Sequence, residues 1–159
     1  MSARMLSVTA IALWLVTIAI AGFFFIRGQT RVAPDGRTAV LLAPDERNLV
    51  LAEMRGMLEG VQGVVDGART GDMKQVAQAA RASGMAAAAD VNPALMARLP
   101  LAFKELGLSM HRRFDEIAAQ ADSGASRDQL LATLGTQLSA CIACHASYRI
   151  DATTPAAAK

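Results

Sequence analysis

Hydrophobic and polar positions fall into three regimes along the chain. Residues 5–26, MLSVTAIALWLVTIAIAGFFFI, carry no charge and end at Arg27. About twenty apolar residues, each rising about 1.5 Å, cross the hydrocarbon core of a bilayer, so residues 1–26 are expected to hold one transmembrane helix. A cleaved signal peptide is the rival reading, with Ala19-Ile20-Ala21 as its small-x-small site. Cutting there would leave GFFFI as an exposed apolar N-terminus, which favours an uncleaved anchor. Residues 27–43 then mix polar side chains with Gly28, Pro34 and Gly36. They predict a linker that turns at Pro34-Asp35-Gly36, with a short apolar patch at 39–42 able to pack against the domain.

From residue 44 the period becomes that of an α-helix. Pro44, Asp45 and Glu46 suit a first turn, because proline needs no amide partner there and carboxylates face the positive end of the helix dipole. Val50, Met54, Met57, Val61, Val64 and Ala68 recur at three- and four-residue intervals and give helix A (44–68) an apolar face. Gly56, Gly60, Gly63 and Gly67 form a second stripe, which close approach by a neighbouring helix, a cofactor or a second subunit would explain. Asp72 caps helix B (73–83), whose apolar face is Val76, Ala79 and Ala80, and Gly84 stops it. A long connection with a helical turn at 94–98 leads to helix C (100–122), whose core face is Phe103, Leu106, Met110, Phe114, Ile117 and Ala121. Ser126 caps helix D (127–149), where Leu130, Leu131, Leu134, Leu138, Cys141, Ile142 and His145 share one broad face. Residues 151–159 read as a frayed tail. The fold expected is all-α: an antiparallel four-helix bundle over 44–150, preceded by one transmembrane helix.

Composition supports this and excludes little else. Alanine, leucine, glycine and methionine dominate the apolar fraction, which favours helices. Sixteen basic residues stand against 14 acidic ones, and they are scattered, so no nucleic-acid-binding footprint appears. The chain has two cysteines, both in Cys141-Ile142-Ala143-Cys144-His145. Two thiols three residues apart can each form a thioether to a haem vinyl group, and the adjacent imidazole can bind the iron, which is the attachment pattern of a c-type haem. A redox CxxC calls for a thioredoxin-like βαβ context, and a structural zinc site needs further Cys or His ligands; the only other histidine is His111.

A helical domain with one such motif on its last helix, continuing as CIACHASYR, resembles the cytochrome c′ family and its low-spin relatives. The resemblance covers residues 44–150 and is most specific at Cys141, Cys144, His145, Tyr148 and Arg149, with the Phe114-containing helix C as weaker support. It implies one covalent haem c held by Cys141 and Cys144, His145 as proximal ligand, and Arg149 near the haem edge. It implies that helix A covers the distal face, where Met54 is the first candidate for the sixth iron ligand, Met57 the second, His111 on helix C a third and Met85 a remote fourth. His111 lies obliquely to the core face and is expected to be half-exposed. Since haem is attached outside the cytoplasmic membrane, the resemblance also places residues 27–159 in the bacterial periplasm, either anchored or, after cleavage, soluble.

The expected function is that of a membrane-tethered monohaem electron carrier, meeting redox partner proteins in or at the membrane. No constellation of general base and nucleophile suggests an enzyme. The alternative is a five-coordinate haem protein that binds or senses nitric oxide or carbon monoxide, and a subunit of a larger respiratory or denitrifying complex is a third class. A homodimer through helices A and B is compatible with the glycine stripe.

Overall fold

The computed structural model describes residues 3–153. The chain is mostly helical. α1 (Ala3–Arg27) is followed by β1 (Thr30–Val32), β2 (Thr38–Leu42), α2 (Pro44–Thr70), α3 (Met73–Ala82), a 3-10 turn at Met85–Ala88, α4 (Pro93–Arg98), α5 (Leu101–Asp122), α6 (Arg127–Ser147) and β3 (Tyr148–Ala152). None of the apolar stretch of α1 is buried against the rest of the chain, and its length and apolarity suit a membrane span or a signal sequence. α6 is long and apolar enough by the same measure, but Leu130, Leu134 and Gln137 are buried where it packs against α5 and α2.

The long helices form where the periodicity and the caps predict. Glu46 accepts the Ala43 N–H at 2.9 Å, and Gly71, with φ 77°, closes α2 in the left-handed conformation that favours glycine. Asp72 caps α3 by accepting the Gln75 N–H at 2.9 Å, while Ser126 and Gln129 cap α6 reciprocally. α2 packs on α3, α3 on α5, α5 on α6 and α6 back on α2. The glycine stripe of α2 answers to α3: a Cβ at Gly63 would stand 2.6 Å from that of Ala79, and one at Gly67 would stand 2.8 Å from Val76 Cγ2. Gly60 lies against Ser83 and Phe114, and only Gly56 of the stripe faces open space. Three of the four glycines are therefore used inside the chain rather than against a second subunit.

The interior is divided into two cores. One, built from Val64, Ala68, Val76, Ala77, Ala80, Phe114, Ile117, Ala118, Ala121, Leu130 and Leu134, fills the end of the helical body where α2 hands over to α3 and α5 to α6. The other gathers Val40, Leu42, Val50, Leu95, Leu99 and Phe103, with Met54, Met96, Cys144, Tyr148 and Ile150 packed on it.

The second core rests on a three-stranded sheet that corrects two expectations. Residues 27–43 are no free linker, and helix D stops at Ser147 rather than 149. β1 and β2 form an antiparallel hairpin around the Pro34-Asp35-Gly36 turn, where Gly36 has φ 83°, and β2 pairs in parallel with β3, Val40 opposite Ile150. Burial explains the strands: Ala39, Val40 and Leu42 are fully buried, which obliges their backbone amides and carbonyls to find partners. Of the expected tail, 151–152 belong to β3 and Thr153 N–H donates to Leu42 O, while 154–159 lie outside the described residues. The all-α expectation is thus revised to a mostly helical fold with one small sheet.

Candidate functional site

An apolar cleft opens between α2, α4, α5 and α6. Its lining comes from Val50, Glu53, Met54 and Met57 of α2, Ala88 and Val91 of the connection, Leu95, Met96 and Leu99 around α4, Phe103, Lys104, Leu106, Gly107, Leu108, Met110 and His111 of α5, and Ala140, Cys141, Cys144 and His145 of α6. It encloses about 870 Å³ of atom-free space, counting the part open to solvent.

The Ser126 cap sets the register of α6, and from it Leu130, Leu134, Gln137, Cys141 and Cys144 follow one another inward at helical spacing. Leu131, Leu138 and Ile142, expected on the same face, point outward, and Ile142 is 70% exposed. The buried stripe is narrower than the expected face by about one residue on each turn. Both cysteines are free and half-buried, and Cys141 Sγ lies 3.7 Å from Met110 Sδ. Burial pushes both thiols above their ordinary range, and for Cys144 the neighbouring Cys141 adds to the effect. They stand in the last two turns of α6, at the negative end of its dipole, where a thiolate is disfavoured. A redox-active CxxC needs the opposite environment, one that lowers a thiol pKa. Among the described residues no three His, Cys, Asp or Glu side chains converge as a metal-binding group.

The remaining predicted site residues are distributed unequally. His145 lines the rim of the cleft and is exposed, while its carbonyl accepts a hydrogen bond from Arg37 Nη1 at 3.2 Å. Met54 and Met57 both face the cleft from α2; Met54 packs with the core that also holds Cys144, and Met57 with the other core. Arg149 is not in the cleft: it sits on β3, paired with Asp151 at 2.8 Å and with Asp35 at 3.2 Å. Met85 lies in the 3-10 turn, where its N–H donates to Asp115 Oδ2 at 2.9 Å.

No family model, curated protein or solved structure matches this chain.

His111 departs most from expectation. It is 3% exposed, because the C-terminal end of α3 covers it: Nδ1 lies 2.9 Å from Ser83 O and Nε2 lies 3.0 Å from Glu53 Oε1. Ser83 O can only accept, so Nδ1 carries a proton, and Nε2 then donates to the Glu53 carboxylate only if the ring is an imidazolium. The Glu53 hydrogen bond is the main reason that its pKa is raised, against the opposing pull of burial. With both nitrogens engaged, the imidazole serves as a clasp between α2, α3 and α5.

Two further methionines belong to the site. Met96 and Met110 bring two more thioethers to the cleft; Met110, expected in the core of helix C, is buried there as well. Gln137 is 1% exposed and neither amide atom has a hydrogen-bond partner. It stands one turn before Cys141 on the Leu130–Leu134 stripe, and that spacing is the signal that could have found it. A buried amide left unpaired costs about 1–3 kcal/mol.

The donor set fits a covalently attached haem: two neutral thiols on one wall, an imidazole beside them, thioethers on the facing wall and apolar lining between.

Proposed function

We infer that the protein is a single-pass, membrane-tethered c-type cytochrome that carries single electrons. α2, α3, α5 and α6 would be the antiparallel four-helix bundle of its haem domain, and that domain would stand in the periplasm of a bacterial inner membrane. The observation that carries this reading is that both thiols and the imidazole of the CIACH motif line one apolar cleft which Met54 and Met57 face from the opposite helix.

A haem bound there would supply a reversible one-electron couple. The chain's own residues do the rest. Cys141 and Cys144 would hold the haem through their thiols, and His145, at the next position, would offer its imidazole to the iron. Met54, packed in the same core as Cys144, offers a neutral, soft sulfur that favours ferrous iron and so raises the potential. Val50, Leu95, Leu99 and Phe103 keep water out, which also favours the less charged reduced state. Electron exchange with partner proteins in or at the membrane then needs only an accessible edge.

A second reading rests on a different observation: Met54 and Met57 each pack against a hydrophobic core, as structural methionines do. If both stay there, the iron is five-coordinate and takes nitric oxide or carbon monoxide. Visible spectra of the oxidised and reduced protein, a near-infrared scan for the methionine-to-ferric charge-transfer band, and repetition under carbon monoxide separate the two. Electron carriage predicts a low-spin spectrum with that band, unmoved by the gas. A high-spin spectrum that shifts on adding it transfers the case to gas binding.

A further inference from the structure

α1 does not release the chain into a free segment. Arg27 ends α1, Gly28 turns with φ 61°, and the Gln29 N–H already donates to Arg98 O at 2.7 Å while Gln29 O accepts from Leu41 N–H at 2.8 Å. Gly28 lies against the backbone of Arg98, Leu99 and Pro100, where any Cβ would collide. On the adjoining side, Lys104 Nζ donates to Phe25 O at 3.1 Å and stands 3.4 Å from the centroid of the Phe25 ring.

Lys104 is 5% exposed, an unusual state for a lysine, and burial lowers its pKa. Its ammonium has found what such a burial requires: a carbonyl in the last turn of α1, at the negative end of that helix, and an aromatic face. The same side chain lines the cleft. One residue therefore forms both a wall of the candidate site and the cap of the apolar helix. Phe25 precedes the end of that helix by two residues, about 3 Å along its axis, so the joint falls at the level where a spanning helix leaves the hydrocarbon.

We propose that the haem domain is docked on its anchor rather than tethered to it, the corner between α4 and α5 being seated on the end of α1 through Gly28, Gln29 and Lys104, so that the cleft is held at the bilayer interface. The inference rests on reading α1 as a retained span and the cleft as the haem site. A flexible segment over 27–43 would let the domain wander roughly 20–25 Å; the joint removes that freedom. A cleft so held meets its partners by lateral diffusion in the same membrane.

Trp14 is the chain's one tryptophan and lies in α1, eleven residues before Phe25 or about 16 Å along the helix. Haem absorbs where tryptophan emits and quenches it with a steep dependence on distance. Time-resolved Trp14 emission of the full-length holoprotein in phospholipid nanodiscs should show one dominant, short lifetime. Inserting Gly-Ser-Gly-Ser between Arg27 and Gly28 should lengthen and spread the decay, and Lys104→Met should spread it less. Limited trypsin digestion reads the joint without haem: cleavage after Arg27 should be at least about tenfold faster in the insertion variant than in the parent. A parent decay as spread as that of the insertion variant, with equal cleavage rates, overturns docking while leaving a normal haem spectrum and the proposed function intact. Loss of residues 1–21 by mass spectrometry overturns docking together with the retained anchor, and leaves the haem reading of the cleft standing. A chain that binds no haem when matured in a cytochrome-c-producing host overturns the proposed function instead, and the trypsin comparison then decides docking by itself.

Discussion

The two ends of the helical body are built to different specifications. At the closed end, glycines and alanines let α2 and α3 approach until side chains touch backbone, and Phe114, Ile117 and Leu130 fill what remains with under 2% exposure. At the open end, α2, α4, α5 and α6 stand apart around a cleft lined by methionines, and a small sheet rather than a helix pair closes the bottom. The closed end gains stability from packing alone. The open end gives up that packing and keeps two thiols and four thioethers around the same space. That difference sets a packed scaffold against a candidate site: small residues bring the helices together at the closed end, and adaptable sulfur side chains line the cleft.

Substitutions at each end should therefore fail differently. The largest effect is expected from Cys144→Ser, which should abolish most covalent haem attachment, read as haem staining after denaturing electrophoresis, while far-ultraviolet circular dichroism keeps its helical signal. Phe114→Ala at the closed end should cost about 3–5 kcal/mol in urea unfolding and leave the haem-to-protein ratio of the folded fraction unchanged. Gly67→Val, which forces a branched side chain against Val76, should cost about 1–3 kcal/mol by the same measurement; a neutral result would mean that α3 is not seated as described. Between the ends, Glu53→Gln removes the charged partner of His111. Because Glu53 is partly exposed, the loss should be about 1–2 kcal/mol.

The smallest effect belongs to the sheet. Hydrogen bonds from the Arg37 side chain and N–H hold the Asp35 carboxyl down at about 2. Its folded pKa lies below its unfolded one, so its contribution is present above the unfolded value, near 4, and is lost as pH falls through about 2. Asp35→Asn should lower stability at every pH above about 4, neutral pH included, and converge on the parent as pH falls through about 2, which flattens the acid limb of the stability curve in that window. An unchanged acid limb would show that the turn contributes nothing there.

How legible each end is in the sequence depends on the range of the interactions that make it. The four long helices of the domain announce themselves through apolar positions every three or four residues and through caps such as Asp72 and Ser126, all local signals. The CIACH motif is equally local. The sheet is not legible, because Thr38–Leu42 and Tyr148–Ala152 are five-residue strands whose pairing joins residues more than a hundred positions apart. Tyr148 and Ile150 turn to the core while Arg149 and Asp151 pair outside, a period of two too short to stand out after a long helix. His111 is hidden for a related reason: its helix predicts its angle, but the cover comes from Ser83 at the end of α3. Lys104 is silent because nothing along α5 reveals that the end of α1 lies beside it.

The most direct test of covalent haem attachment is the intact mass of the full-length protein, made in a host that attaches c-type haem and measured after acid-acetone extraction of any loosely bound cofactor. One haem should be retained per chain, falling to none in the double variant Cys141→Ser/Cys144→Ser. A parent chain whose mass equals that of its amino acids alone would contradict the assignment of the cleft as a haem site.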